Sequence, residues 1–179
     1  MMMDFLGSEA SVRIVELFCQ NPNEEFYSKK VGDKLGISKA TNIKWLKRLT
    51  DAGILTAQSR GRKKFYKLKL NNPLARQLRI LMTLSELIPR LKDQDTLRSA
   101  YLVGSSAKGT HAPDSPLELL ILHRGDPSQI RSVLDDVSSK IGREIEAKIM
   151  TPLEYAELSK DKPKLHERLE REKIRIVLG

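Results

Sequence analysis

Apolar positions along the chain recur with two periods, and these set out the elements. After Ser8, Val12 and Val15, with Ile14 and Phe18, stand at helical spacing; a Ser-capped amphipathic helix is predicted from Glu9 to about Gln20, stopped by Asn21-Pro22-Asn23. Glu25-Phe26-Tyr27 reads as a short extended piece. Ser28 is placed to cap a second helix, in which Val31 and Leu35 lie four apart and Gly36 suits a left-handed C-terminal cap. The stretch Leu35–Leu55, LGISKATNIKWLKRLTDAGIL, continues with Ser38 as the N-cap of a third helix closing at Ala52-Gly53. On it Asn42, Leu46, Leu49 and Gly53 share one face, and Lys39, Ala40, Ile43, Lys44 and Lys47 another. Ile43, not Asn42, is the apolar residue of its pair, so either the helix is rotated to bury Ile43 or Ile43 stays outside. The cost of burying an unpaired Asn favours rotation. Trp45 is read as an anchor on neighbouring helices. Ile54–Ala57 and Lys64–Leu70 read as half-buried strands, Leu68 and Leu70 alternating with Lys67 and Lys69, and Ser59-Arg60-Gly61-Arg62 joins them as a hairpin.

Asn71-Asn72-Pro73 marks a boundary. From Pro73 to Pro89 a helix carries Leu74, Leu78, Leu81, Leu84 and Leu87, with Ile80 and Ile88, a broad apolar surface. Something must cover it, either a domain junction or a second copy of the chain. Leu91–Thr96 is a polar end to this connector. A new rhythm then begins: a strand over Leu97–Val103, a loop GSSAKGT, a buried strand over Leu117–Leu122, an amphipathic helix over Pro127–Ile141 and a strand over Glu144–Met150. Thr151-Pro152 and Pro163 start two further helices, and Ile174–Leu178 is a terminal apolar segment. The fold class is two-domain α/β: residues 1–72, a connecting helix and linker over 73–96, and a mixed-sheet domain over 97–179.

Charge separates these parts. Residues 1–72 carry 14 Lys+Arg against 7 Asp+Glu, a net +7, whereas residues 73–179 carry 18 against 16, a net +2, together the +9 of the whole chain. The basic excess therefore sits with the three helices and the hairpin, where it suits a polyanion. Cys19 is the only cysteine and follows Leu17-Phe18 in an apolar run, which makes it a small core residue and excludes an intramolecular disulfide or thiolate cluster. The start lacks the charge and apolar pattern of a secretory signal, and no apolar run approaches the roughly 20 residues of a membrane span. A reduced, cytoplasmic protein without a membrane partner is expected. The histidines His111, His123 and His166 lie on separate segments and are read as surface or strand-end residues.

Residues 8–70, through LGISKATNIKWLKRLTDAGIL and the basic hairpin after it, resemble a winged helix-turn-helix of prokaryotic, archaeal-type transcriptional regulators. The resemblance implies that the third helix enters a major groove of double-stranded DNA and that the hairpin is a wing. On that reading Lys39, Ala40, Thr41, Ile43 and Lys44 face base edges, while Ser38, Lys47, Arg48, Arg60, Arg62 and Lys63 hold phosphates. Regulators of this type commonly dimerise through a helix such as 73–89, so a homodimer is implied.

Gly104-Ser105, Gly109-Thr110 and Ser115, with Gly142-Arg143-Glu144-Ile145 and Met150-Thr151-Pro152 further on, resemble the minimal nucleotidyltransferase family. The family's signature continues as Ser-Asp-x-Asp, whose two aspartates hold the divalent metals of phosphoryl transfer. Here their positions hold Pro116 and Glu118. Proline offers no ligand atom, which leaves Glu118 and, on the next strand, Glu146 as weak metal candidates, with Asp114 displaced into the loop. The domain is expected to be catalytically inactive and to need no cofactor. Gly104, Ser105, Ser106 and Lys108 remain candidates for a nucleotide or other anion, a tight turn kept for packing being the equal alternative. The expected function is a sequence-specific DNA-binding transcriptional regulator with a nucleotidyltransferase-like domain for regulation or interaction, open to a nucleotide or protein effector. An active transferase acting on a protein or RNA and a nucleotide-sensing regulator are the alternatives.

Overall fold

The computed structural model describes residues 6–92, 97–123 and 126–178. The chain forms two compact units that divide within one helix, between Arg79 and Ile80. Residues 93–96 of the expected linker lie outside the described residues.

The first unit runs α1 (Glu9–Gln20), β1 (Phe26–Tyr27), α2 (Ser28–Leu35), α3 (Lys39–Asp51), β2 (Leu55–Arg60), β3 (Lys63–Leu68), and then the start of α4 (Pro73–Leu91). Its three strands form an antiparallel sheet in the order β1-β3-β2. This is the order of a winged helix-turn-helix. Ser8 caps α1 reciprocally with Ser11, each side chain taking the other's backbone N–H. Ile14, Phe18, Phe26, Val31, Leu46, Leu49 and Ile54 make the core, and Phe18 meets Phe26 edge to face at 5.5 Å between ring centres.

Three local expectations change here. Val12 is on the outer side of α1, because the inward arc is centred on Ile14, Val15 and Phe18. Ser28 does not cap α2; it is the first helical residue, Tyr27 precedes it without a side-chain cap, and Ser28's oxygens serve Asn42 instead. The hairpin is longer than the alternation suggested, with Arg60 directly opposite Lys63. Its turn is only Gly61-Arg62, with Gly61 at φ 59°, the positive value a two-residue hairpin needs and glycine gives freely. Leu70 lies past the end of β3.

At the start of α4, Asn72 accepts from the Leu74 N–H at 2.7 Å and donates to the Gly53 carbonyl at 2.8 Å. Arg79 is buried, its Nε donating to the Cys19 carbonyl at 3.2 Å. Pro89 does not end α4: the helix continues to Leu91, whose side chain is fully buried in the second unit.

The second unit continues with β4 (Leu97–Leu102), α5 (Gly104–Ala107), β5 (Leu117–His123), α6 (Pro127–Ile141), β6 (Ile145–Met150), α7 (Pro152–Asp161), α8 (Pro163–Glu172) and β7 (Ile174–Leu178). The mixed sheet has the order β6-β5-β4-β7; β5 and β6 are parallel, joined by the crossover helix α6, and the other pairs are antiparallel. The terminal apolar segment is thus an edge strand on β4. Alternation along β5 sends Leu117, Leu119 and Ile121 to a core with α6 and the end of α4, and Leu120 and Leu122 to a smaller core with Tyr155 of α7 and Leu169 of α8. Glu118 belongs to the second face, at the end of the sheet where β4 leads into α5.

Candidate functional site

In the first unit the exposed face of α3 is fixed by what lies beneath it. Trp45, Leu46 and Leu49 are buried, and Asn42 is only 1% exposed. Asn42 Nδ2 donates to the Ser28 carbonyl at 2.6 Å and lies 3.4 Å from Ser28 Oγ. It passes Gly32 so closely that a Cβ there would stand 3.3 Å from it. The expected rotation of α3 therefore does not occur. The hydrogen bond to Ser28 satisfies the amide nitrogen, although Asn42 Oδ1 is buried without a hydrogen-bond partner, and Ile43 stays outside, 45% exposed.

With Asn42 inward, Lys39, Ala40, Ile43, Lys44 and Lys47 come together on the outward face. Ser38 caps the helix, its Oγ accepting from the Thr41 N–H at 3.3 Å and donating to Thr41 Oγ1 at 2.9 Å. Lys47 pairs with Asp51 at 2.7 Å, both largely exposed. Arg48 lies on the flank, its guanidinium 4.9 Å from the Trp45 ring centre, with Lys44 over the same ring at 5.4 Å. On the hairpin, Arg60 pairs with Glu25 at 2.7 Å and covers Phe65 at 5.1 Å, Lys63 covers Tyr27 at 4.9 Å, and Arg62 stands at the exposed tip. Stacked cations keep their charge outward while their stems lie on rings.

In the second unit Gly104, Ser105 and Glu118 form a closed arrangement. Glu118 Oε1 accepts from the Ser105 N–H at 2.9 Å and from Ser105 Oγ at 3.0 Å. Gly104 has φ 63°, and a Cβ on it would stand 2.1 Å from Glu118 Oε1, so glycine is needed both for the turn and for the carboxylate's approach. The Ser105 donors that the sequence offered to an anion are thus occupied by the chain's own anion.

Beside this turn lies a cavity of about 290 Å³ lined by Lys108, Thr110, Lys148, Arg168 and Glu172 as well as Gly104, Ser105 and Glu118. Lys108 pairs with Glu172 at 3.0 Å. The α8 helix that brings in Arg168 and Glu172 is tied to α7 through Glu170, which accepts from the Tyr155 hydroxyl at 2.7 Å and from Lys173. Lys173, then Tyr155, hold the Glu170 carboxyl below its ordinary range. Ser106 does not line the cavity: it is fully buried beneath the turn. Lys148, Arg168 and Glu172 were not candidates from the sequence. Only Lys148 had a signal, since β-alternation puts it on the face of Glu146.

The residues present do not fit a two-metal site. Pro116 has no donor, Asp114 is exposed in the loop, and Glu118 is committed to Ser105. Glu146 stands opposite Glu118 in the β5–β6 register, but no three His, Cys, Asp or Glu residues converge among those described. Of the histidines, His123 ends its strand as expected and His111 is buried rather than on the surface. His111 and His123 are buried, His123 because it ends β5 inside the sheet opposite Leu97, while His166 lies against the Tyr155 ring at 5.1 Å.

Taken together, the second unit is a mixed-sheet α/β domain with a glycine-serine turn facing an acid on the next strand. Comparison with known proteins agrees: the nucleotidyltransferase domain family matches residues 84–177, more than half of the 179-residue chain, and the chain belongs to that family. Several solved structures share part of its shape. The AntR antimony-specific transcriptional repressor is 20% identical with a TM-score of 0.40, covering 48% of this chain and 74% of its own. The homodimeric winged helix-turn-helix DNA-binding domain Mb0332 of Mycobacterium bovis is 17% identical with a TM-score of 0.38, covering 52% and 79%. A mutant of the toxin-antitoxin MntA-HpeT is 17% identical with a TM-score of 0.40, covering 54% and 73%. No curated protein matches the chain. No described helix is long and apolar enough to cross a membrane.

Proposed function

We propose that the chain is a sequence-specific double-stranded DNA-binding transcriptional regulator that acts as a homodimer, with a nucleotidyltransferase-family domain serving regulation or interaction and no longer transferring nucleotides. The observation that carries this reading is the outward face of α3. An exposed isoleucine among lysines suits a helix in a major groove: Ile43 can meet a thymine methyl while Lys39 and Lys44 reach base edges and phosphates. Lys47 can exchange Asp51 for a phosphate at little cost, since an exposed pair is worth about 1 kcal/mol or less. Arg62 at the hairpin tip is placed to act as the wing's phosphate contact. The loss of transfer is supported by Pro116 and by the engagement of Glu118 with Ser105.

Electrophoretic shift on the DNA upstream of the chain's own gene tests the reading. Lys44→Ala with Arg62→Ala should weaken binding at least tenfold; unchanged affinity would refute the assignment. A second reading, an active transferase with the winged helix as substrate adaptor, is favoured by family membership itself. Incubation with labelled ATP and Mg²⁺ or Mn²⁺ separates the two, since label transferred to a protein or RNA would establish the second.

A further inference from the structure

The helix α3 and the hairpin are joined by a short segment that is held at both ends. At one end Glu25, just before β1, forms a two-pronged ion pair with Arg60 at the end of β2: Arg60 Nη1 lies 2.7 Å from Glu25 Oε2, and Nη2 donates to Glu25 Oε1 at 3.0 Å. Nη2 also donates to Gln58 Oε1 at 2.7 Å, so both of its hydrogens are taken. The strand β3 is the middle one of the sheet, so the pair reaches across it, and the Arg60 guanidinium lies 5.1 Å from the centre of the Phe65 ring. At the other end β1 runs into α2 with no residue between, and the Ser28 carbonyl takes the Asn42 bond that fixes the rotation of α3. The Arg60 and Glu25 side chains are 49% and 36% exposed, and an exposed ion pair by itself adds little. Two bonds to one carboxylate, a third acceptor and a ring alongside hold a guanidinium far better than one contact does. Such an arginine is a poor phosphate contact. Its charge is matched by Glu25, and a phosphate approaching Arg60 would also approach that carboxylate and be repelled by it.

We propose that Glu25 and Arg60 form a clamp that positions the hairpin for DNA, Arg60 acting through Glu25 and contacting no phosphate itself. Arg60, grouped by the sequence with the phosphate-holding cations, instead sets where Arg62 and Lys63 stand relative to α3. An acid beside a DNA-binding surface then has a purpose, since Glu25 without Arg60 would only repel the backbone. The proposal rests on the reading of α3 and the wing as a DNA-binding surface and names the pair of residues that sets their spacing.

Two measurements on the full chain test it, the first without DNA. In amide hydrogen exchange, Arg60→Ala and Glu25→Gln should each lower protection of the β2–β3 hairpin at least about fivefold, and the double variant should lower it no further than Arg60→Ala alone. In salt titrations of affinity for the duplex upstream of the chain's own gene, Arg60→Ala should weaken binding at least about threefold. The slope of log affinity against log salt should stay as in the wild type, because no phosphate contact is lost. Arg60→Lys keeps the charge and gives up the fork, and should fall between wild type and Arg60→Ala in both measurements. A circular-dichroism melt of each variant checks folding. A slope shallower by about 0.9 in Arg60→Ala, unchanged affinity, unchanged hairpin protection in either single variant, or summed effects in the double variant would overturn the proposal. A wild-type chain that binds no duplex DNA would instead overturn the functional reading, and exchange in the free chain would still decide whether the clamp holds the hairpin.

Discussion

At the scale of single residues, two polar side chains decide more than any apolar one. Asn42 sets the rotation of α3 through its bond to Ser28, 14 positions earlier. Asn42→Ala should lower the stability of the first unit by about 1–2 kcal/mol in urea unfolding, since it removes a buried donor and leaves a gap against Gly32. Glu118 and Gly104 form the corresponding pair in the second unit. Gly104→Ala should cost more than about 1 kcal/mol, because alanine must take a left-handed conformation and also displace a carboxylate. Because removing the carboxylate makes room for the methyl, Gly104→Ala combined with Glu118→Ala should destabilise by less than the sum of the two single changes; simple additivity in denaturant unfolding would count against the close approach. Cys19 is a third case. Burial, with Glu16 adding to it and Arg79 opposing it, pushes its thiol up to about 12 from 9.0. A raised pKa favours the protonated, folded form. The stabilisation is fully present below about pH 9 and is lost as pH rises from there towards about 12. At pH 8 the thiolate fraction, and with it the rate of reaction with an aromatic disulfide reagent, should be about a thousandfold below that of the unfolded chain. Reaction at the unfolded rate would contradict the burial.

At the scale of elements, the sequence was most legible where helices begin and end. Ser8, Ser38 and Thr151 cap through their own side chains, and Pro127, Pro152 and Pro163 occupy first turns, so these boundaries depend on local chemistry. Destinations of side chains were less legible. The bond of Glu118 to Ser105 spans 13 positions, and Lys148 and Arg168 come to line one cavity only through the way α8 folds back towards the sheet. Neither leaves a periodic trace. The same limit applies to the amphipathic connector α4. Several of its leucines enter the cores, but Leu81 is 50% and Ile88 38% exposed, seven residues apart and on one face. If that face pairs with its copy, Leu81→Glu with Ile88→Glu should convert a dimer to a monomer in analytical ultracentrifugation without lowering helix content. A wild-type chain that already sediments as a monomer would exclude a dimer built on α4.

At the scale of the whole molecule, a basic winged helix and a nucleotidyltransferase-family domain occupy one chain. The basic excess lies where α3 and the hairpin are, while Pro116 and a Glu118 that accepts from Ser105 stand where the family resemblance places its two aspartates. On the proposed function the working surface is α3 with its wing. The most direct measurement of the central claim is the salt dependence of DNA affinity for the wild-type chain and for Arg62→Ala. Each phosphate contact contributes a slope of about −0.9 in log affinity against log salt, so a steep negative slope that becomes shallower by about one contact per protomer in the variant is predicted. A slope near zero, or one that Arg62→Ala leaves unchanged, would contradict a wing that holds the DNA backbone.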